Sequence, residues 1–274
     1  MTRPLLVDRT LAQRIEAAGT SDLVTLLEST RATGHYPDAV TRPVGGGIAL
    51  WFCEGNVING AFGLGMDSPV TDADIDDLVA FHRELGATPS VDICPYADPS
   101  LLRALAQRGF VPSGYETVLC QPLPVDGVDG SATRSVTVRI ARTDAERHTW
   151  AQLEARGFMD EQVDDAGLHL AEAIAARADA LHFIGYLDGE PAGTGMLTMR
   201  DGWASFNGDA TLPAMRGHGV QSAILAERLS VASASGCDLA WIEASPGGVS
   251  ERNQQRAGFR IAYTRVTLRL PEGR

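Results

Sequence analysis

Apolar and polar residues follow one another along this chain in two rhythms, one helical and one of strands. From Leu11 to Ser29 the apolar positions recur every three or four residues, which predicts an amphipathic helix. Ile48-Ala-Leu-Trp-Phe-Cys and Val57-Ile-Asn-Gly-Ala-Phe read as strands, and the glycines at 45 to 47, 60, 63 and 65 read as their hairpin and bulges rather than as a nucleotide loop. Thr71 is placed to cap a helix whose first turn holds Asp72, Asp74, Asp76 and Asp77. Further on, 136–140 alternates as a strand, Thr143 caps a helix over 144–156, and a second helix is predicted over 165–178. Strands follow over 181–187, 192–199 and 203–211, with Asp188-Gly189-Glu190 and Arg200-Asp201-Gly202 as turns. A helix over 221–234, a strand over 238–243, a short helix over 250–256 and a strand over 261–270 complete the pattern.

One unit occurs twice. Val91-Asp-Ile-Cys-Pro leads into Leu101-Leu-Arg-Ala-Leu-Ala-Gln-Arg-Gly-Phe110 and then Tyr115-Glu-Thr-Val-Leu119. Trp241-Ile-Glu-Ala leads into Ser250-Glu-Arg-Asn-Gln-Gln-Arg-Ala-Gly-Phe259 and then Tyr263-Thr-Arg-Val-Thr267. In each, a strand passes through a Pro-containing turn into a short helix, and an alternating strand follows the Gly-Phe pair. The glycine suits a left-handed helix end, and the phenylalanine plugs the core. The Pro-, Gly- and Asp-rich stretch from Gln121 to Ser135 separates the copies. The expected organisation is therefore two domains of one α/β fold, 1–122 and 136–274, joined by a linker over 123–135.

Composition narrows the partners. At 44% hydrophobic residues the chain can bury a real core, and its apolar runs fall far short of the ~18 residues of a membrane span. The start, Met1-Thr-Arg-Pro-Leu-Leu-Val-Asp, lacks the apolar core of a signal peptide, so a cytoplasmic location without a membrane partner is expected. The cysteines at 53, 94, 120 and 237 form no Cys-x-x-Cys, and the histidines have no ligand spacing; buried thiols and no metal are expected. A formal charge of −12 argues against nucleic acid and modestly favours cationic or neutral substrates, although surface acid also serves solubility.

The segment Arg216-Gly217-His218-Gly219-Val220-Gln221 carries the candidate chemistry. It follows a strand and opens a helix, where free backbone amides and the helix dipole attract anions and glycines let them approach. Neither a Gly-x-x-x-x-Gly-Lys-Ser/Thr loop nor a Gly-x-Gly-x-x-Gly dinucleotide loop is present. Leu212-Pro213-x-x-Arg216-Gly217-x-Gly219 resembles the acyl-CoA pyrophosphate loop of the GCN5-related N-acetyltransferases (GNATs), whose usual pattern is Gln/Arg-x-x-Gly-x-Gly/Ala; Gln221 stands where a small residue is usual. The resemblance covers about 136–270. It implies two tandem GNAT-like domains, each a mixed, mostly antiparallel sheet flanked by helices. The first copy has lost its loop to the acidic stretch from Met66 to Asp77.

The resemblance also implies acetyl transfer from acetyl-CoA to a primary amine, here of a small molecule, by direct transfer in a ternary complex. Monomer and homodimer are both open. Ala210, Thr211, Arg216, Gly217, His218, Gly219, Val220, Gln221 and Asn253 are the expected acyl-CoA contacts. Arg216 could face the pyrophosphate or cap the loop backbone, and His218 could pair with phosphate or stay in solvent. The cofactor is expected between splayed strands, 193–199 and 238–243, with an amide of 193–199 polarising the thioester carbonyl. Asp209 and Glu243 are the base candidates, against a structural reading of each, and Glu154, Phe158 and Met159 are expected at the acceptor cleft. The family's usual acid, a tyrosine four residues before the helix-ending glycine, is Gln254 here. That departure keeps a non-catalytic acyl-CoA sensor or interaction module as the alternative, with another phosphate ligand such as a nucleotide as a third reading.

Overall fold

The computed structural model describes residues 6–125, 136–160 and 162–271, so most of the expected linker lies outside the described residues. The first half runs α1 (Arg9–Ala32), β1 (Val40–Val44), β2 (Gly47–Trp51), β3 (Gly60–Phe62), α2 (Asp72–Glu84), β4 (Ser90–Ile93), α3 (Pro99–Gln107) and β5 (Val111–Pro122). The second runs β6 (Val136–Ile140), α4 (Asp144–Phe158), α5 (Asp165–Ala175), β7 (Ala180–Leu187), β8 (Glu190–Arg200), β9 (Trp203–Thr211), α6 (Val220–Ala234), β10 (Leu239–Ala244), α7 (Val249–Arg256) and β11 (Arg260–Arg269). Local signals set most of these limits. Thr71 with Asp74, and Thr143 with Glu146, close reciprocal capping boxes at the starts of α2 and α4. Gly109 and Gly258 adopt φ of 80° and 101°, and the phenylalanines after them are buried. The strand expected from Val57 starts only at Gly60, because the Asn59 side chain bonds the Phe52 amide and the Cys53 carbonyl in place of a ladder.

All the described strands join one 11-stranded sheet, ordered β1-β2-β3-β4-β11-β5-β10-β9-β8-β7-β6. The two halves exchange their closing strands. β11, last in the second half, pairs antiparallel with β4 of the first, and β5, last in the first half, pairs antiparallel with β10 of the second. The two then pair with each other along most of their length. The expected sheets are therefore present but fused, and the hydrogen-bond ladder crosses the boundary drawn between the copies.

Alternation along the strands assigns the layers. Ala240 and Ile242 of β10 pack with α6, whereas Leu239 and Trp241 pack with α1. Thus α1, from the first half, lies over the second half's strands, and salt bridges Arg177–Asp22 (2.6 Å) and Arg265–Glu16 (2.8 Å) hold it there. Helices α4 and α5 share that face, while α2, α3 and α7 share the face of α6. Cys94, Cys120 and Cys237 are buried free thiols, and Cys53 is half-buried. No helix among the described residues is long and apolar enough to cross a membrane.

Because each half's closing strand completes the other's sheet, heat should unfold the chain in a single transition with matching calorimetric and van't Hoff enthalpies. Two resolved transitions in scanning calorimetry would show that the halves are independent.

Candidate functional site

The site is built where β9 and β10 part. They run parallel, paired from Leu239 opposite Trp203 to Ile242 opposite Phe206, and their pairing then stops. The divergence is written into β9. Its register against β8 shifts between Thr194 and Met196, where Gly208 takes φ of 63°. A Cβ on Gly208 would sit 2.7 Å from the Trp150 ring of α4, so only glycine fits. The splayed pair is therefore β9 and β10, not 193–199 and 238–243. Strand β8 is paired with β7 on one side and β9 on the other, so the strand expected to polarise a carbonyl has no edge on the gap. The edges that open are β9 beyond Phe206 and β10 beyond Ile242.

Helix α6 reaches the end of β9 because glycines clear its path. A Cβ on Gly195 would lie 2.6 Å from Ile224, and one on Gly185 2.8 Å from Val220. Gly217 and Gly219 turn the loop with φ of 81° and 82°, and Gly219 is the helix N-cap, with no side chain bonded to the first amides. Those amides face a cavity of about 460 Å³ lined by Asp209, Ala210, Thr211, Arg216, Gly217, Gly219, Val220, Gln221 and Asn253, among others. His218 of the expected set does not line it; its side chain is exposed, with Nδ1 3.0 Å from the Arg216 carbonyl. The Arg216 guanidinium is half-exposed and tied back, donating to the Thr211 carbonyl (3.2 Å), the Gly157 carbonyl (3.0 Å) and Asp160 (2.6 Å). It fastens the loop to the end of α4. Asn253 of α7 donates to Gln221 Oε1 at 2.9 Å, closing the opposite wall.

The carboxylates divide into different environments. The bulge turns Asp209 toward α6, where both its oxygens accept from Arg228, which is 0% exposed. Arg228 also donates to the Met196 and Asn207 carbonyls, so the pair clamps the bulged strand to the helix. Burial pushes the Asp209 carboxyl upward against the pull of Arg228. Glu243 faces away from α6, toward α1, and lines a second cavity of about 370 Å³ with Asn207 and residues of the first half. The two cavities meet β9 at Asp209 and Asn207, on either side of Gly208. Burial, then the neighbouring Glu243, pushes Glu116 in this cavity up to about 8, and burial raises Glu243 itself. Gln254, in the place of the usual tyrosine, is buried with its amide on Ser250. Nothing in the sequence pattern marked Glu116, because its place opposite Arg265 comes from the strand exchange.

Residues 144–259 match the model of the acetyltransferase (GNAT) family. Over that stretch the sequence is similar to that family. Solved structures share the fold over nearly the whole chain. A GCN5-related N-acetyltransferase from Kribbella flavida aligns over 91% of this chain and 96% of its own, at 18% identity and a TM-score of 0.62. A tandem GNAT protein from the clavulanic acid biosynthesis pathway aligns over 87% and 85%, at 14% identity and 0.58. A conserved protein of unknown function from Bacteroides thetaiotaomicron aligns over 92% of each chain, at 11% identity and 0.56. No curated protein matches the sequence. The fold is thus that of two tandem GNAT-like domains.

Glu154 shares a face of α4 with Trp150, which lies over Gly208, and with Gly157, which abuts Ala210 and Thr211. It therefore faces β9, and burial pushes its carboxyl from 4.5 up to about 7. A carboxyl raised on folding favours the native state at low pH, and the advantage is lost as pH climbs from 4.5 through 7. Glu154→Gln should match the parent in urea unfolding at pH 4 and exceed it by up to about 3 kcal/mol at pH 8. An equal difference at both pH values would refute the placement.

Proposed function

We propose that the protein transfers an acetyl group from acetyl-CoA to a primary amine of a small molecule, directly, with both substrates bound. The observation that carries this reading is the uncapped start of α6, opening between left-handed glycines onto a cavity that reaches the parting of β9 and β10. The amides from Val220 onward would hold the pyrophosphate, assisted by the helix dipole, with Asn253 and Gln221 on the far wall. Arg216 would act through the loop it fastens, and His218 would reach the phosphates only from outside the cavity. Backbone at Ala210 and Thr211 would carry pantetheine, which brings the thioester to the gap.

There the amine nitrogen attacks the acetyl carbon, the carbon–sulfur bond breaks, and the electron pair leaves on sulfur. An amide on the open edge of β9, within the fixed bulge, would polarise the carbonyl. Glu243 is the base we assign, since it borders the gap from the acceptor side. With both oxygens on Arg228, Asp209 serves to hold β9 in place. Water would protonate the thiolate, since a glutamine amide cannot. The buried Gln254 favours a second reading, an acyl-CoA sensor that binds without turnover.

Thermal unfolding with acetyl-CoA at about a hundred times its dissociation constant should show about 2.7 kcal/mol of stabilisation, with ATP and NAD giving none. Gly219→Val, which forces a branched side chain into φ of 82°, should abolish that shift. Release of CoA thiol with an amine separates enzyme from sensor. No shift at saturating acetyl-CoA would remove the basis for both.

A further inference from the structure

We propose that Ser250, set in place by the buried Gln254 amide, donates a hydrogen bond to the sulfur of bound CoA and so supports the thiolate. The proposal rests on the acyl-CoA reading of the cavity in front of α6 and names the residue that acts at the sulfur.

The two residues share one face of α7. Positions four apart on a helix are neighbours, and a helical side chain leans toward the helix N-terminus. Gln254 therefore reaches back over the preceding turn, where its Nε2 donates to Ser250 Oγ at 2.9 Å. Gln254 is 1% exposed, so packing holds its amide, whereas Ser250 is half-buried and lines the cavity. A tyrosine at 254 would lean the same way and carry its hydroxyl over the turn that holds Ser250. Here the amide ends on the serine, and the serine supplies the hydroxyl.

The direction of that hydroxyl follows from its partners. Serine has one proton to donate and two lone pairs. The Gln254 amide takes a lone pair of Ser250, and among the described residues Ser250 donates to nothing. With the amide behind it, the hydroxyl is turned to donate forward, into the cavity. The neighbouring polar side chain of α7 is engaged, since Asn253 donates to Gln221 and accepts from Arg256, each at 2.9 Å. Ser222 also lines the cavity, but it lies exposed in the first turn of α6, on the phosphate side. Helix α7 follows β10 through a turn closed by the Gly248 amide donating to the Ser245 carbonyl at 3.0 Å. Ser250 thus stands just past the open end of β10, while Ala210 and Thr211 line the same cavity from β9. A thioester carried along β9 into the gap passes in front of it.

No strong acid is required. As the amine nitrogen bonds to the acetyl carbon, the carbon–sulfur bond breaks and its electron pair stays on sulfur. A serine hydroxyl is a weaker acid than a thiol, so Ser250 shares its proton and keeps it, and water brings the proton that completes the free thiol. A hydrogen bond to a charged acceptor is stronger than one to a neutral thioester, so the contact favours the leaving state over bound acetyl-CoA.

The test uses CoA itself and needs no acceptor. With CoA bound to the full chain, the ultraviolet absorbance of its thiolate is titrated against pH. On Ser250→Ala the bound thiol should be about tenfold less acidic than on the parent. Ser250→Thr, which keeps the hydroxyl, should restore the parent value. Gln254→Met, which keeps the volume and loses the amide, should lie between. All three variants should keep the parent's acetyl-CoA affinity and a cooperative unfolding transition, which separates a lost contact from a lost fold. Equal acidity on the parent and Ser250→Ala, or a Gln254→Met value equal to the parent's, would overturn the proposal and leave the cofactor site standing. Failure of CoA to bind the parent would overturn both. The acidity shift without thiol release from acetyl-CoA and an amine would keep Ser250 at the sulfur and remove the transferase reading.

Discussion

Hydrogen bonding of β11 to β4 and of β5 to β10 makes each half incomplete without the other, and the rest of the architecture follows from that pairing. A strand whose edges are unpaired exposes donors and acceptors along its length, so a half that lends its last strand must receive one in return. The mutual ladder between β5 and β11 runs from Arg260 to Arg269, the longest interface in the sheet's centre. It brings Arg265 into the middle of the molecule, where it would be costly if uncompensated. Glu16 and Glu243 compensate it from opposite halves, and the Tyr263 hydroxyl donates to the same Glu16 oxygen at 2.7 Å. A buried charge network at the seam adds little net energy, but its geometry admits one register. A slip of one residue would carry Arg265 to the opposite face, among the apolar side chains that pack with α2 and α3.

Helix α2 follows the third strand of the first half and α6 the fourth of the second, and their first turns are treated in opposite ways. At α2 the Thr71 hydroxyl and the Asp74 carboxylate take the free amides, and Arg108 binds Asp72 and Asp76. The dipole is satisfied from within, and a further anion would meet like charge. At α6 the cap is Gly219, no side chain reaches the amides, and a cavity lies in front of them. Chemistry as small as a threonine and an aspartate thus separates a helix start that is finished from one that is left open.

The sequence shows what is local. Capping boxes, the Gly-Phe ends, the glycine loop and the limits of nearly every second-half element are decided by residues within a few positions of one another, and they lie where the pattern puts them. What depends on distant partners is hidden. The expected strand at Val57 gives way to Asn59, whose side chain replaces a backbone partner across a turn. Asp209 looks like a free carboxylate until α6 brings Arg228 against it, nineteen positions along the chain. Periodicity gives each strand's faces but not its neighbours, so the parting of β9 from β10 rather than from β8 could not be read. The same limit hides Glu116, Asp92 and Glu16, which are ordinary acidic residues until the exchanged strands set them around one cavity.

The exchange also gives a first half without a glycine loop a share in the second cavity. Its α2 start offers no place for an anion, yet α1, β4 and β5 form one wall of the cavity beneath α1. The second half supplies the loop, the bulge at Gly208 and the far wall. The cavities approach β9 from opposite faces, one built almost wholly by the second half and the other shared. Substitutions in β4 or β5 therefore alter the shared cavity without touching the loop, and changes in the loop leave its acidic wall intact. The walls of the two cavities can therefore be altered separately, one within the second half and the other at the seam between the halves.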